Sequence, residues 1–145
     1  MVSISEVGPS ISDQDIIDLE NLLEINLPGS YKKFLLEFNG GVPTPDLIDV
    51  PGLQGSPTDV QVFFGIGRSV LSSGLKWNFE NFGKVTMKAV LFPIGCDSGG
   101  GVFAISINRD GQDEVLYFDP FDGDSRLYEV ALCFDDFLGK IRGLS

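Results

Sequence analysis

The order of its hydrophobic patterns most strongly constrains how this chain folds. Apolar side chains recur with a helical period up to residue 41, and most later apolar segments have the lengths and alternation of strands. Residues 42–57, rich in proline and glycine, separate the two parts. The chain therefore combines a helical N-terminal part with a sheet, and we expect residues 42–57 to form an irregular surface loop.

Two helices are predicted in the N-terminal part. The first begins after Ser12, a good N-cap, with Asp15 at the capping-box position. Its predicted buried stripe is Ile16, Leu19, Leu22 and Leu23. The second opens at Leu27-Pro28, because proline costs little where the N–H has no helical partner, and ends at Asn39-Gly40-Gly41. Its predicted buried face is Tyr31, Phe34, Leu35 and Phe38.

The rest of the chain predicts strands and a closing helix. The predicted strands are Val60–Phe64, Lys88–Pro93, Val102–Asn108, Val115–Phe118 and Leu127–Val130. The Asp-Gly pair in Arg109–Gln112 predicts a hairpin turn. Ser72–Phe82 fits neither period, and we favour a short helix or an ordered loop there. The C-terminal helix buries Phe134, Phe137, Leu138 and Ile141.

We expect the two helical stripes to share one core with the central strands. Besides the stripe residues named above, its predicted members are Phe92, Ile94, Val102, Phe103, Ile105, Phe134, Phe137 and Leu138.

Length and composition predict one domain, residues 1–145, that folds without a disulfide or a metal. No apolar run approaches the roughly 18 residues of a membrane span, and residues 1–9 lack the features of a signal peptide. We therefore expect a soluble, cytoplasmic protein. Cys96 and Cys133 have no Cys or His neighbour at ligand spacing, which predicts two buried thiols and no metal site or cofactor.

Charge and the absence of histidine narrow the function. The 10 basic and 21 acidic residues give a net charge of −11, with the acidic excess in residues 1–26 and 108–136. A phosphate backbone requires clustered Lys and Arg, so a basic protein partner fits better than nucleic acid, with simple solubility as the alternative. A chain without histidine cannot form a Ser-His-Asp triad or an HExxH site. We predict that the protein is not an enzyme.

Three short strings have partial features of ligand sites. Gly95–Gly101 is dense in glycine but lacks the Lys-Ser/Thr of a phosphate-binding loop, and Gly65–Gly67 has only part of a dinucleotide fingerprint. Asp119, Asp122 and Asp124 lack the spacing of an EF-hand loop. We interpret all three as turns.

Two longer segments are informative in combination. Leu27–Leu35 has the sequence LPGSYKKFL and precedes Asn39-Gly40-Gly41, and Phe92–Gly101 has the sequence FPIGCDSGGG and precedes a strand. With Leu19-Glu20, Val115–Asp119 and Phe134–Leu138 in the same order, the chain resembles the SMI1/KNR4, or SUKH, superfamily over nearly its whole length.

The resemblance implies an α+β fold, with a mixed or antiparallel sheet flanked by an N-terminal helix pair and a C-terminal helix. It also implies a binding role, since bacterial members are largely immunity proteins that neutralise a cognate polymorphic or contact-dependent toxin, often a nuclease. A regulatory scaffold, like the eukaryotic regulators of cell-wall synthesis, is the alternative. A hydrolase that uses Asp97 or Asp119 is the third hypothesis.

We expect the partner, a toxin with a basic surface, to bind the acidic turns at the strand ends of a protein that is monomeric when free. Trp77 or Phe121 is the candidate aromatic anchor, although Phe121 fits a tucked-in staple equally well. Asn39, Gly40, Gly41, Asp97, Gly99 and Gly100 are expected chiefly to fix backbone geometry. The candidate contacts are Trp77, Asp97, Asp110, Asp113, Glu114, Asp119, Phe121, Asp122 and Asp124.

Overall fold

A computed structural model describes residues 2–108, 113–123 and 126–144 of the chain. Within these ranges the helices are α1 (Asp13–Leu23), α2 (Gly29–Glu37), α3 (Leu75–Phe82) and α4 (Phe134–Lys140), with a 3-10 helix at Leu71–Ser73. The strands are β1 (Ser3–Ser5), β2 (Val42–Thr44), β3 (Leu47–Ile48), β4 (Thr58–Asp59), β5 (Val62–Phe63), β6 (Lys84–Val85), β7 (Ala89–Cys96), β8 (Val102–Asn108), β9 (Val115–Phe118) and β10 (Tyr128–Ala131). The predicted turn Arg109–Gln112 lies outside the described residues.

Capping and left-handed backbone set the ends of the first two helices. The Ser12 hydroxyl oxygen accepts the N–H of Asp15 at 3.3 Å, and the Asp15 carboxylate accepts the N–H of Ser12 at 2.8 Å, which is the predicted capping box. After α2 the chain turns through positive φ angles of 52°, 90° and 128° at Asn39, Gly40 and Gly41. The Asn39 side chain also bonds to Pro9 and Ile66, so it ties the N-terminal segment to the chain after β5.

The main sheet is antiparallel in every ladder that the structure describes. Its order is β10-β9-β8-β7-β5, and β6 pairs with β7. The β7–β8 hairpin forms its centre, with Ala89 opposite Asn108 and Cys96 opposite Val102. Helices on an antiparallel sheet confirm the predicted α+β class, in its antiparallel form.

Both faces of the central strands are apolar. Rings of α2 and α4 cover the inner face: Phe34 lies 4.9 Å from Phe63, Tyr31 lies 5.0 Å from Phe134, and Phe137 lies 5.4 Å from Phe103, measured between centroids. The outer face holds a smaller cluster, against which Phe82 and Leu116 pack. Its buried members are Leu91, Val102, Ala104 and Phe118.

Most of the predicted core residues are buried or pack against the core, but Leu22 is 60% exposed and its assignment is wrong. The inward stripe of α1 runs through Ile16, Leu19 and Glu20 instead. Glu20 is tolerated there because its carboxylate accepts the N–H of Leu27 at 2.8 Å and pairs with Lys32 at 3.3 Å. Val102 is buried on the outer face, not in the main cluster.

The expected irregular loop at residues 42–57 is also partly wrong. It contains β2, which pairs with β1, and β3, which pairs with β4, and it buries Ile48 and Val50 completely. The guanidinium of Arg142 binds both carboxylate oxygens of Asp49 at 2.8 Å and thereby holds this segment against the C-terminus.

Several boundaries differ from the predicted ones. Ser72–Phe82 is the 3-10 helix followed by α3, which agrees with the favoured short helix. The strand predicted at Val60–Phe64 is shorter, whereas the one predicted at Lys88–Pro93 continues to Cys96.

Candidate protein-binding site

The loop between β7 and β8 is organised around the carboxylate of Asp97. One oxygen accepts the N–H groups of Gly99 and Gly101 at 3.0 and 2.7 Å, and the other accepts the hydroxyls of Thr58 and Tyr117 at 2.7 and 2.5 Å. The residue is only 5% exposed, and four donors compensate the carboxylate for lost water. The structure therefore places Asp97 inside the loop, with a structural role, and not on the surface where a partner would bind.

A second carboxylate fastens the same loop to β4. Asp59 accepts the N–H of Ser98 at 2.9 Å and also accepts the Ser98 hydroxyl. Thr58 and Asp59 hold the loop against β4, and Tyr117 holds it against β9, so the loop is held on two sides. The loop that follows β7 is thus fixed in place by side-chain hydrogen bonds, and we call it the braced loop.

Acidic neighbours and burial keep the nearby thiol and phenol protonated. Burial raises the pKa of Cys96 to about 11, and the charges of Asp97 and Asp59 add to the shift. Burial also raises the pKa of Tyr117, as do its hydrogen bond to Asp97 and the charge of Asp97. Neither group is an activated nucleophile at neutral pH.

The expectation of two buried thiols is wrong. Cys133 is exposed because it forms the N-cap of α4 at the surface, and Cys96 is half-buried.

Phe121 stands on the turn after β9, above the braced loop. The residue is 78% exposed, and its N–H donates to the Asp119 carboxylate at 2.9 Å. A methyl group placed on Gly100 would lie 3.9 Å from the ring. The ring is not tucked into the core, so the staple alternative does not hold for Phe121.

Phe82 connects the two candidate anchors. Its ring lies 5.9 Å from that of Phe121 and 5.9 Å from that of Trp77, both in edge-to-face geometry. We call Trp77, Phe82 and Phe121 the aromatic row. The sequence reasoning missed Phe82, although a signal was present: Leu75, Phe79 and Phe82 follow helical spacing, and Trp77 falls off that stripe.

The predicted acidic contacts form two separate groups. Asp113 and Glu114 precede β9, whereas Asp119 and Asp122 follow it, so about 17 Å of extended chain separates Glu114 from Asp119. Of the predicted acids that the structure describes, Asp119 and Asp122 lie beside the aromatic row. Asp110 and Asp124 lie outside the described residues. We call the aromatic row together with Asp119 and Asp122 the Phe121 face.

The Glu114 end of the sheet concentrates like charge. Burial raises the pKa of Glu114, and the neighbouring Glu129 raises it further through a hydrogen bond and its charge. Burial also raises the pKa of Asp113. The carboxylates of Glu114 and Glu129 repel each other, which lowers stability at neutral pH.

A groove between α1 and α3 was not foreseen from the sequence. Its cavity volume is about 480 Å³, and both helices, the 3-10 helix and residues 65–68 line it. Leu22 and Leu71, which are 60% and 71% exposed, lie in it together with Trp77. We call it the α1–α3 groove. The wrongly assigned Leu22 is therefore a surface residue of this groove.

Two structural features bear on other functions. The described residues contain no group of three or more Cys, Asp or Glu side chains that could hold a metal ion. None of the helices described is long and apolar enough to cross a bilayer.

Comparison with known proteins identifies the family. Among curated proteins none matches the chain. The model of the SMI1 / KNR4 family (SUKH-1) matches residues 10–140, which include α1–α4, the whole main sheet and the Asp97 loop. The chain therefore belongs to the SMI1/KNR4 (SUKH-1) family.

Proposed function

We propose that this protein is an immunity protein that neutralises a cognate toxin by covering its surface. Family membership supports a protein-binding role, because SUKH-1 members are known as immunity proteins. A protein-binding surface requires an exposed anchor side chain on an ordered support. The Phe121 face has both, with two acidic residues beside the anchor.

The exposed ring of Phe121, held above a hydrogen-bonded loop and flanked by two acids, carries the proposal. Aromatic anchors dominate binding energy when they are desolvated, and a ring that is already positioned loses less entropy on binding. Phe121 is positioned by the ring of Phe82 and by the Asp119 hydrogen bond to its own backbone. Below it, the Asp97 and Asp59 carboxylates brace the loop.

Charge indicates the chemistry of the partner. The chain has a net charge of −11, and Asp119 and Asp122 are exposed beside the aromatic row. Acidic surfaces accelerate association with basic ones and disfavour acidic partners. A toxin that acts on nucleic acid must present Lys and Arg to phosphates. We therefore propose a basic, nuclease-type toxin as the partner.

Co-expression in bacteria with candidate toxins encoded by adjacent genes tests the proposal. We expect the wild-type chain to restore growth and to co-purify with the toxin. Phe121→Ala should lose protection, whereas Leu132→Ala should keep it. Leu132 is a suitable control because it is 72% exposed and follows β10 at the opposite end of the sheet. Unrestored growth with the wild-type chain, together with no complex, contradicts the proposed function.

A further inference from the structure

The α1–α3 groove presents two exposed leucines, Leu22 and Leu71, beside the half-buried ring of Trp77. Leu22 comes from α1, Leu71 from the 3-10 helix, and Trp77 from α3. Contiguous exposed apolar surface on a small protein commonly marks an interaction site. A volume of about 480 Å³ is enough to admit side chains of a partner.

The charged residues around the groove indicate which sign of charge its occupant carries. Asp15, Asp18 and Glu80 line it, opposed by Lys76 and by Arg68, whose guanidinium donates to the Glu6 carbonyl at 2.9 Å. Residues 1–26, which include α1, contain six acids and no base. The α1 side of the groove therefore favours a cationic occupant.

The secondary structure around the groove indicates the backbone conformation of its occupant. The groove lies between α1 and α3, whose backbone groups are paired internally. In the adjoining segment Gly65 pairs with Ser73 and Leu75, and Ile66 pairs with Asn39, so an added strand would find no free sheet edge at these residues. A segment that satisfies its own backbone hydrogen bonds fits better, which is the helix-in-groove mode of recognition.

We propose that the α1–α3 groove binds an amphipathic basic helix of the protein partner. Its apolar side chains enter between Leu22, Leu71 and Trp77, and its Lys or Arg residues face Asp15 and Asp18. This inference rests on the proposed function and extends it. Since Trp77 belongs both to the groove and to the aromatic row, a partner on the Phe121 face reaches the groove without a break in the interface.

Trp77 provides the measurement, because it is the only tryptophan of the chain. The probes are two synthetic helical peptides of about four turns, with leucines on one face and either lysines or glutamates on the other. We expect the lysine peptide to shift the Trp77 fluorescence saturably and to bind about tenfold or more tightly than the glutamate peptide. Equal binding of the two peptides, or no saturable shift with the lysine peptide, would overturn the inference.

A matched pair of variants separates the groove from general attraction to an acidic protein. Leu71→Ser should weaken binding of the lysine peptide by about tenfold, whereas Leu132→Ser should leave it unchanged. Leu71 and Leu132 are 71% and 72% exposed, so both variants should keep the wild-type thermal melt. Equal binding by wild type and Leu71→Ser would also overturn the inference.

The same variants distinguish this inference from the proposed function. If wild type and Leu71→Ser neutralise the co-expressed toxin equally, the groove does not bind the partner and the proposed function stands. If wild type itself fails to neutralise the toxin, the proposed function falls, and the peptide titration still decides what the groove binds.

Discussion

The ring of Phe121 meets the ring of Phe82 nearly at a right angle, with their centroids 5.9 Å apart. This contact packs one edge of an exposed aromatic side chain against a ring of α3. It also joins the turn after β9 to α3. The Phe121 face depends on this relationship.

Removing the Phe121 ring should affect binding without unfolding the protein. Because Phe121 is 78% exposed, Phe121→Ala should change the free energy of unfolding by less than about 1 kcal/mol. The complex with the toxin should dissociate about tenfold faster or more. Surface plasmon resonance and a thermal melt measure the two effects. An unchanged dissociation rate would remove Phe121 from the interface.

Two buried tyrosines should respond in opposite ways to the loss of their hydroxyl. Tyr117 donates to the Asp97 carboxylate at 2.5 Å, so Tyr117→Phe should lower the free energy of unfolding by about 1.5–3 kcal/mol. The Tyr31 hydroxyl is buried and makes no hydrogen bond in the described part of the chain. Tyr31→Phe should leave stability unchanged or raise it by up to about 2 kcal/mol. Chemical denaturation distinguishes the two outcomes, and similar losses in both variants would contradict the Asp97 network.

Sequence reasoning predicted the local features and missed the distant ones. The capping box of α1 and the turn at Asn39–Gly41 were predictable, because neighbouring residues specify both. Leu22 was misassigned since it adjoins Leu23, and a buried charge such as Glu20 is rare on a helical stripe. The pairing of β1 with β2 could not be predicted, because strands of three residues are too short to show a clear alternation of apolar and polar residues in the sequence.

The candidate site was predictable in part. Phe121 and Trp77 stood out as aromatic residues in unusual settings, yet nothing in the sequence joins them, because the link is the ring of Phe82 on the outer face of the sheet. The predicted acids do not form one surface, because β9 separates Asp113 and Glu114 from Asp119 and Asp122. Of the two loop glycines expected to fix backbone geometry, Gly100 has a positive φ of 93°, whereas Gly99 has no positive φ and its expected role is wrong. The most crowded glycine of the loop is Gly101.

Gly101 should tolerate no side chain. A methyl group there would lie 2.0 Å from the Tyr117 hydroxyl, whereas at Gly99 it would lie 3.6 Å from the nearest atom, on Asp97. Gly101→Ala should therefore lower the free energy of unfolding by about 1–3 kcal/mol, and Gly99→Ala should change it by less than about 1 kcal/mol. Urea denaturation of both variants checks this. Equal stabilities would show that the loop is not braced as described.

Neutralising Glu114 should stabilise the protein at neutral pH. Burial and Glu129 raise the folded pKa of Glu114 above its unfolded value, so the folded state holds the proton more tightly. The tighter proton binding of Glu114 in the folded state adds to the free energy of unfolding at low pH. This contribution is lost as the pH rises from roughly 4 through the folded pKa. The melting temperature of Glu114→Gln should therefore be higher than that of wild type at about pH 7 and equal to it at about pH 3.

The control for this titration is Glu37→Gln, which changes an exposed glutamate of α2. Its melting temperature should follow that of wild type at both pH values. A Glu114→Gln variant that melts below wild type at neutral pH would contradict the repulsion at the Glu114 end.

The association rate of a charge-reversed variant tests the central claim most directly, that a basic toxin binds the Phe121 face. Stopped-flow mixing of the toxin with wild type and with the double variant Asp119→Lys, Asp122→Lys, at low and at physiological ionic strength, provides the measurement. We predict that the variant associates about tenfold or more slowly at low salt, and that the difference narrows as salt screens the charges. Equal association rates at low salt would contradict the claim.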